Sequence, residues 1–372
     1  MRVAFLLTGL AAGQESCHAI DPSVSDAWCN ANCNHSPPNC PPSLCSCAPA
    51  PSPGPSPGPS PGPSPGPSPG PSPSAGFKVT GPWYYIADGT TTNHSFASPP
   101  AWMQHTQNIV SLAFMDPQEL PSGDSSVPEV FKTTAKTFQG MGQEVFFSIG
   151  GYAYSGRWGW LQDAGKSEAA GKVAAAMSKK YSVGIEIDYE GGSDPAGGLV
   201  AFVKGFRSVC PMGTCKLTMD LYGGPGGAGW QKTTVPQVIP SSGHVGEKFG
   251  DGNWMDYANV MVIDGQPVTT AITYWQQWVD TKVLNLNRAA FSLDAGFPGI
   301  GICDGTKNDG VDTALSWLAG HGAYGVMYWA VCPPAPGSPS TCGDWTPSCN
   351  DDAPGFQHLC TKAGTCKSQI LV

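Results

Sequence analysis

The stretch Val183-Gly184-Ile185-Glu186-Ile187-Asp188-Tyr189-Glu190 decides the fold prediction for this chain. Its isoleucines alternate with its acidic residues, and a period of two predicts a β-strand with one apolar face and one acidic face. Along the acidic face, the Cα atoms of successive acids are roughly 6.6–6.8 Å apart. The apolar face needs a packing partner, so we expect helices beside this strand.

The three carboxylates of this strand, Glu186, Asp188 and Glu190, predict chemistry rather than an ordinary core. Buried carboxylates without partners are costly, and three on one inward face repel each other. Sharing a proton relieves the repulsion and raises the pKa of at least one carboxyl group, as a general acid for glycoside cleavage requires. The alternative is a solvated strand edge. Because Gly191 and Gly192 follow directly, the acids lie at a strand end beside a loop, where barrel and open-sheet enzymes place their active sites.

The order of elements in the large part of the chain predicts an α/β fold, a closed (β/α)8 TIM barrel with parallel strands. We expect strands at residues 78–86, 108–114, 144–149, 183–188, 216–221, 257–263, 289–293 and 325–329. Helical patterns lie between them, at residues 127–140, 167–180, 196–209, 268–284 and 309–318. The segments 152–160 and 223–252 are predicted to be loops, the second one on the functional face.

Composition limits the classes of partner. Only 13% of the 372 residues are charged and the net charge is −9, which argues against nucleic acid and anionic membranes as partners. The 12 tryptophans and 48 glycines favour carbohydrate, whose apolar faces stack on aromatic rings, although core packing accounts for many of the rings. Residues 1–13 are typical of a secretory signal peptide and are too short to span a bilayer. Together with 14 cysteines, this signal predicts a secreted, extracellular protein with disulfide bonds.

Two appendages are predicted beside the barrel. Residues 14–48 hold six cysteines in a piece too small to bury a core, which predicts a disulfide module; carbohydrate binding and a purely structural role are both open. Residues 49–76 contain five Pro-Ser-Pro-Gly repeats and predict an extended, semi-rigid linker. The barrel domain then takes residues 77–372. From Cys332 onward, five cysteines predict a disulfide-pinned C-terminal extension with one short helix near residues 355–362.

Four short motifs make the large domain resemble glycoside hydrolase family 18, the chitinase family, over roughly residues 77–332. That family carries Asp-Gly-x-Asp-x-Asp-x-Glu on the fourth barrel strand, and the matching residues are Val183, Gly184, Glu186, Asp188 and Glu190. The family's Ser-x-Gly-Gly and Met-x-Tyr-Asp are similar to Ser148-Ile149-Gly150-Gly151 and Met261-Val262-Ile263-Asp264. Trp329 closes the eighth strand, where the family has a tryptophan under the sugar site.

The resemblance implies retaining hydrolysis by substrate assistance. Glu190 would protonate the glycosidic oxygen, and the acetamido oxygen of the sugar would attack the anomeric carbon to form an oxazolinium. Asp188 would orient the acetamide and balance its charge, supported by Glu186. This route needs no second enzyme nucleophile, so it departs from the usual two-carboxylate rule. The substrate must then carry an N-acetyl group, as in chitin, chitooligosaccharides or the chitobiose core of N-glycans.

The chain departs from the family pattern at three positions. Val183 and Glu186 each replace an aspartate, and Ile263 stands where the family has a tyrosine hydroxyl that holds the acetamide. Tyr222, at the end of the fifth strand, is a candidate for supplying that hydroxyl. With it, the predicted substrate-binding residues are Trp329, Asp264 and Tyr84, the last one from three adjacent rings, Trp83-Tyr84-Tyr85, of which at least one should face the barrel interior.

The sequence therefore predicts a secreted, monomeric, chitinase-like glycosidase with Glu190, Asp188 and Glu186 as catalytic residues. Its partner is an N-acetylglucosamine-containing polysaccharide or oligosaccharide, with no nucleic acid and no membrane. The seven histidines show no metal spacing and no Gly-rich phosphate loop follows a strand, so no metal or cofactor is expected. The alternatives are an endo-β-N-acetylglucosaminidase acting on N-glycans and a catalytically silent chitin-binding lectin. The intact Asp188–Glu190 pair favours an enzyme, whereas Ile263 favours the lectin.

Overall fold

The computed structural model of the chain describes residues 16–19, 45–48, 76–86, 101–190, 196–223, 248–249, 252–261, 267–281, 284–294, 309–331 and 354–365. The chain divides into two compact units, Met1–Gly70 and Pro71–Val372. In the first unit, β1 (Ser16–Ala19) pairs antiparallel with β2 (Cys45–Ala48), and a disulfide joins Cys17 to Cys47. The predicted signal peptide and Pro-Ser-Pro-Gly repeats lie outside the described residues.

Eight parallel strands of the second unit close into a barrel, in the order β10-β11-β12-β3-β4-β5-β6-β7. A two-residue antiparallel pair, β8 (Lys248–Phe249) with β9 (Gly252–Asn253), is separate from the barrel. Each predicted strand coincides with a barrel strand to within a few residues, so the predicted TIM barrel is confirmed. The barrel strands are β3 (Val79–Tyr85), β4 (Ile109–Met115), β5 (Glu144–Gly150), β6 (Gly184–Asp188), β7 (Leu217–Leu221), β10 (Tyr257–Val260), β11 (Ala289–Asp294) and β12 (Gly325–Val331).

The barrel strands are largely apolar because parallel strands are covered on both faces. All seven residues of β4 are buried, as are the last six of β5, and continuous apolar runs of this kind are typical of parallel sheets enclosed by helices. The helices of this unit are α1 (Glu129–Gly140), α2 (Ser155–Asp163), α3 (Ser167–Tyr181), α4 (Ala196–Val209), α5 (Val268–Thr281), α6 (Asp309–Gly320) and α7 (Pro354–Ala363). Within the described part of the chain, none of the helices is both long enough and apolar enough to cross a membrane.

Helix α2 corrects the prediction that residues 152–160 form a loop. A 3-10 turn, Tyr152–Tyr154, leads directly into α2. Tyr154, Trp158 and Leu161 are buried, and their spacing of four and three residues places them on one side of a helix. Two glycines in the segment concealed this spacing, since glycine is among the poorest helix formers. The prediction was wrong because burial of large side chains outweighs the helix propensity of the residues between them.

The C-terminal helix α7 packs against the rest of the second unit. Leu359 and Ala363 are fully buried, and the amide of Phe77 donates to the carbonyl of Ala363 at 3.2 Å, at the beginning of the barrel. Cys360 is disulfide-bonded, as the prediction of a disulfide-pinned extension requires. The preceding predicted segment, residues 332–353, lies outside the described residues.

Candidate active site

The acidic face of β6, the fourth strand of the barrel, points into the barrel. Glu186 and Asp188 are each 1% exposed, and the isoleucines between them are buried on the opposite side of the strand. The strand register places Asp188 beside Gly150 of β5 and beside Asp220 of β7. The predicted alternation of an acidic and an apolar face is therefore confirmed.

Glu186 is held by donors from three other strands. Its Oε1 accepts from Trp83 Nε1 at 2.8 Å and from Ser111 Oγ at 2.6 Å, while its Oε2 accepts from Asn259 Nδ2 at 2.9 Å. Burial raises the pKa of Glu186, and its hydrogen bonds act in the opposite direction. We call Trp83, Ser111, Glu186, Asp220 and Asn259 the floor cluster.

Asp220 of β7 completes the floor cluster and shares two of its donors with Glu186. Asn259 Nδ2 donates to Asp220 Oδ1 at 2.8 Å, and Trp83 Nε1 lies 3.3 Å from Asp220 Oδ2. Burial, followed by the charges of Glu186 and Asp188, raises the pKa of Asp220 well above its ordinary value. The floor cluster therefore contains two carboxyl groups in a fully buried setting.

Asp188 lies at the carboxyl end of β6. Its backbone carbonyl accepts from the Gly151 amide at 3.0 Å and from Trp158 Nε1 at 3.2 Å, which fixes the end of the strand. Its side-chain Oδ1 has no hydrogen-bond partner among the described residues. Burial, and after it the charges of Glu190 and Glu186, raises the pKa of Asp188 well above its ordinary value. A carboxyl group this buried, with a free oxygen, is available to a ligand.

Glu190 and Tyr222 lie together just beyond the strand ends. Glu190 is half-buried two residues after β6, and its charge acts on both Asp188 and Tyr222. Burial raises the pKa of Tyr222, and the charges of Glu190 and Tyr274 add to that effect. The fold thus brings three residues predicted for the site, Asp188, Glu190 and Tyr222, to one end of the barrel. With Trp329 they form what we call the mouth cluster.

Trp329 of β12 is surrounded by aromatic rings. Its ring is stacked on Phe114 with centroids 5.6 Å apart, and it lies 5.9 Å from the ring of Tyr85 and 6.4 Å from that of Trp83. Phe114 was not among the predicted residues; its position at the carboxyl end of β4 is the signal that would have found it. Trp329 and Tyr85 are half-buried and are backed by the buried Phe114, so these rings present an apolar platform at the strand ends.

Tyr84 lies on the other side of β3 from Trp83. Its side chain is fully buried, and its ring meets Phe138 of α1 edge-on at a centroid distance of 5.2 Å. Burial raises the pKa of Tyr84 well above its ordinary value. The contact with α1 places Tyr84 in the layer between barrel and helices, so of the three adjacent rings it is Trp83 and Tyr85 that contact the residues of the site.

The motif Ser148-Ile149-Gly150-Gly151 allows the chain to turn tightly beside Asp188. Gly150 has φ +122°, and a Cβ atom there would be 1.7 Å from the Asp188 carbonyl oxygen. Gly151 has φ +88°, and a Cβ there would be 2.9 Å from the Phe114 ring. Both positions require glycine, because any side chain would displace the end of β6 or the aromatic platform.

Two predicted residues lie outside the described part of the chain, and two residues of the site were not predicted. Asp264 and Ile263 lie in the undescribed segment 262–266. Asn259 and Ser111 were missed, because a single polar residue within an apolar strand carries no local signal of its partner. Among the residues that the structure describes, no group of three or more His, Cys, Asp and Glu is arranged to hold a metal ion.

Comparison with known proteins links this geometry to one fold family. No protein-family model and no curated protein matches the chain. Among solved structures, a mutant family 18 chitinase from Cycas revoluta in complex with (GlcNAc)4 is 12% identical with a TM-score of 0.52, over 76% of this chain and 99% of that one. A chitinase-like agglutinin from Robinia pseudoacacia is 12% identical with a TM-score of 0.51, over 77% of this chain and 100% of that one. The chain therefore has the barrel fold of the family 18 chitinases, as its motifs predicted.

Proposed function

We propose that this chain is a chitinase-like glycoside hydrolase that cleaves β-1,4 linkages of N-acetylglucosamine polymers. The observation that carries the proposal is the pairing of a buried Asp188, which has a raised pKa and an unpartnered oxygen, with a half-buried Glu190 two residues further on. A buried carboxylate oxygen without a partner is costly, so the unpartnered Oδ1 of Asp188 is suited to a ligand.

Glu190 is the general acid and base of the proposed reaction. It gives its proton to the glycosidic oxygen as that bond breaks, and the acetamido oxygen of the same sugar bonds to the anomeric carbon. Water then attacks the anomeric carbon of the oxazolinium, the bond from that carbon to the acetamido oxygen breaks, and Glu190 takes a proton from the water. The half-buried position of Glu190, beyond the strand end, is where a bound sugar could reach it.

Asp188 orients the acetamide in this reaction. Its unpartnered Oδ1 is suited to the acetamide N–H, and the ionised carboxylate balances the positive charge of the oxazolinium. Glu186 contributes through its negative charge, which acts on Asp188 from the same strand face. Tyr222, close enough to Glu190 for the charge of that carboxylate to raise the Tyr222 pKa, takes the place of the hydroxyl absent at Ile263.

The aromatic platform of Trp329, Phe114 and Tyr85 binds the apolar face of the sugar. Stacking of this kind positions the ring above the carboxyl groups without specifying any hydroxyl. Asp264 supplies a further polar contact. The protein is proposed to act outside the cell, on the basis of the signal-like residues 1–13 and the 14 cysteines, and its proposed state is a monomer.

The test is hydrolysis of a fluorogenic chitooligosaccharide by the wild type and by Glu190→Gln. We expect kcat of the variant to fall by about 10²–10⁴, the range for loss of a positioned acid, with its thermal unfolding midpoint retained. Activity that persists in Glu190→Gln would reject Glu190 as the acid. If an N-glycan but no chitooligosaccharide is cleaved, the endo-β-N-acetylglucosaminidase is the correct function.

A chitin-binding lectin is the second candidate, and Ile263 is the observation that favours it. Loss of the hydroxyl at that position removes a contact to the acetamide, and the agglutinin with the same fold is not named as an enzyme. Calorimetric titration with chitotetraose separates the two: binding without turnover by the wild type identifies a lectin. Restored turnover in Ile263→Tyr would then assign the loss to this position.

A further inference from the structure

The two carboxyl groups of the floor cluster are arranged as a pair. Glu186 and Asp220 each accept a hydrogen bond from Asn259 Nδ2, at 2.9 and 2.8 Å, and each lies within reach of Trp83 Nε1, at 2.8 and 3.3 Å. Two donors, one from β3 and one from β10, thus bridge the same two acids. This geometry brings the acids into direct interaction.

No positive charge balances this pair in the part of the chain that the structure describes. Glu186 and Asp220 are 1% and 0% exposed, and neither forms an ion pair with a described Lys, Arg or His. Two adjacent carboxylates in a dry setting repel strongly, and the usual solution is that one of them keeps its proton.

The hydrogen bonds indicate which acid keeps the proton. Glu186 accepts three donors at 2.9 Å or less, including one from Ser111 that Asp220 does not share. Asp220 has one such short bond, from Asn259, and the two carboxyl groups are hydrogen-bonded to each other. Glu186 is therefore the better stabilised anion, and Asp220 is the donor between them.

We propose that Glu186 and Asp220 share one proton, carried by Asp220, and that Asp220 is a positioning residue for the glycosidase reaction. The second half of this proposal rests on the proposed function. Asp220 lies directly beside Asp188 in the strand register. When the pair holds one proton, only one negative charge, that of Glu186, faces Asp188. When the pair holds no proton, both Glu186 and Asp220 face Asp188 as anions.

The charges of the groups around Asp220 favour keeping a proton on the Glu186–Asp220 pair. From β6 it faces Glu186 and Asp188, and from β10 it faces Asn259 and Tyr257, whose pKa burial raises well above its ordinary value. From β3 it faces the neutral indole of Trp83. Among the described residues, every charged group that faces Asp220 is acidic; the hydrogen bonds from Asn259 and Trp83 stabilise its anion, but no positive charge does.

The first experiment is thermal unfolding of the full-length protein against pH, for the wild type and Asp220→Asn. A carboxyl group with a raised pKa in the folded state stabilises fully below its unfolded pKa of about 3.9 and loses that contribution as the pH rises through the folded pKa. Over this window we expect the unfolding midpoint of the wild type to fall, relative to Asp220→Asn, by about 2–5 °C per pH unit.

Asp163→Asn is the matched control, because it makes the same change at an exposed position at the end of α2. Its midpoint should follow the wild type at every pH. Parallel curves for the wild type and Asp220→Asn would overturn the shared proton, since Asp220 would then be ionised in both the folded and unfolded states.

Glu186→Gln changes the other member of the pair and tests the shared proton even if Asp220→Asn does not fold. Removing the negative charge of Glu186 allows Asp220 to ionise at lower pH, so the pH-dependent fall of the midpoint should become smaller. An unchanged fall would mean that Asp220 titrates independently and would overturn the pair.

The positioning role is read from the pH profile of kcat/KM. At acidic pH, Asp220→Asn replaces one neutral group by another, so the acidic limb should coincide with that of the wild type. Once Asp220 of the wild type ionises, a second negative charge faces Asp188 and disfavours further ionisation at the site; the variant lacks that charge, so its alkaline limb should move to lower pH. Identical profiles would reject the positioning role. A wild type without activity would reject the proposed function alone, because the unfolding curves still decide whether the proton is shared.

Discussion

Two carboxyl groups of β6, Glu186 in the floor cluster and Asp188 in the mouth cluster, differ in their hydrogen-bond partners. Glu186 and Asp188 are equally buried, at 1% exposure, and both have a raised pKa caused first by burial. Glu186 nevertheless accepts three hydrogen bonds, whereas Oδ1 of Asp188 has no partner among the described residues. Burial alone therefore does not distinguish a structural carboxylate from a chemical one. The set of hydrogen-bond partners does, because an unsatisfied buried group is unstable until a ligand satisfies it.

Asp188→Asn gives the largest effect expected from this contrast. We expect kcat for a chitooligosaccharide to fall by about 10²–10³, because the amide cannot balance the charge of the oxazolinium. The folded state should not be weakened at neutral pH. The raised pKa means that Asp188 stabilises the fold at low pH and loses that contribution as the pH rises, and the neutral amide removes the loss.

Steady-state kinetics and thermal unfolding at pH 5 and pH 8 would check this prediction for Asp188. A variant that is less stable than the wild type at pH 8 would show that Asp188 is a structural group after all, and would remove the contrast between the two clusters.

Glu186→Ala should act mainly on stability. Truncation leaves the donors of Trp83, Ser111 and Asn259 without their acceptor in a buried place, and we expect the free energy of unfolding to fall by about 2–4 kcal/mol. Urea denaturation monitored by tryptophan fluorescence measures this loss. Glu186→Gln is the size-matched control and should lose less, since its amide oxygen can still accept from Trp83 and Ser111, although its NH2 group cannot accept from Asn259. Equal losses in the two variants would mean that the volume and the amide oxygen kept by Gln contribute nothing, so that the negative charge of Glu186 holds the floor cluster.

Trp329→Ala should act on sugar binding within the mouth cluster. Loss of the ring that stacks on Phe114 removes much of the aromatic platform, and we expect Kd for chitotetraose to rise by about 10–100-fold. Trp329→Phe keeps an aromatic face and should retain most of the affinity. Titration calorimetry checks both variants, and an unchanged Kd in Trp329→Ala would place the sugar elsewhere on the barrel.

The smallest effects separate two tyrosines that the sequence treats alike. Tyr222→Phe removes a hydroxyl group beside Glu190, and we expect kcat/KM to fall by about 10-fold. A loss of this size corresponds to one hydrogen bond to a charged group. Tyr84→Phe changes a ring packed against α1, and kcat/KM should stay within about 2-fold of the wild type. The reverse order would restore Tyr84 as the substrate-binding residue.

Much of the fold follows from local patterns. Three local patterns are visible in short windows of the sequence. They are the period of two in β6, the nearly continuous apolar run of β4 and the helical spacing of apolar residues in α4. The helix α2 was missed because glycines interrupt its spacing, although Trp158 and Leu161 obey it.

The sequence by itself determined that Glu186, Asp188 and Glu190 share one face of a strand that ends in a loop, because the pleat of a strand has a fixed period. Only the tertiary structure decided that Trp83 rather than Tyr84 faces the interior, and that Asn259 and Asp220 meet Glu186 there. These contacts depend on the register of strands far apart in the chain, and a shift of one residue in any strand would turn its side chains to the other face. A local pattern shows the period of an element, whereas the side chains that the element contacts are determined only when the barrel closes.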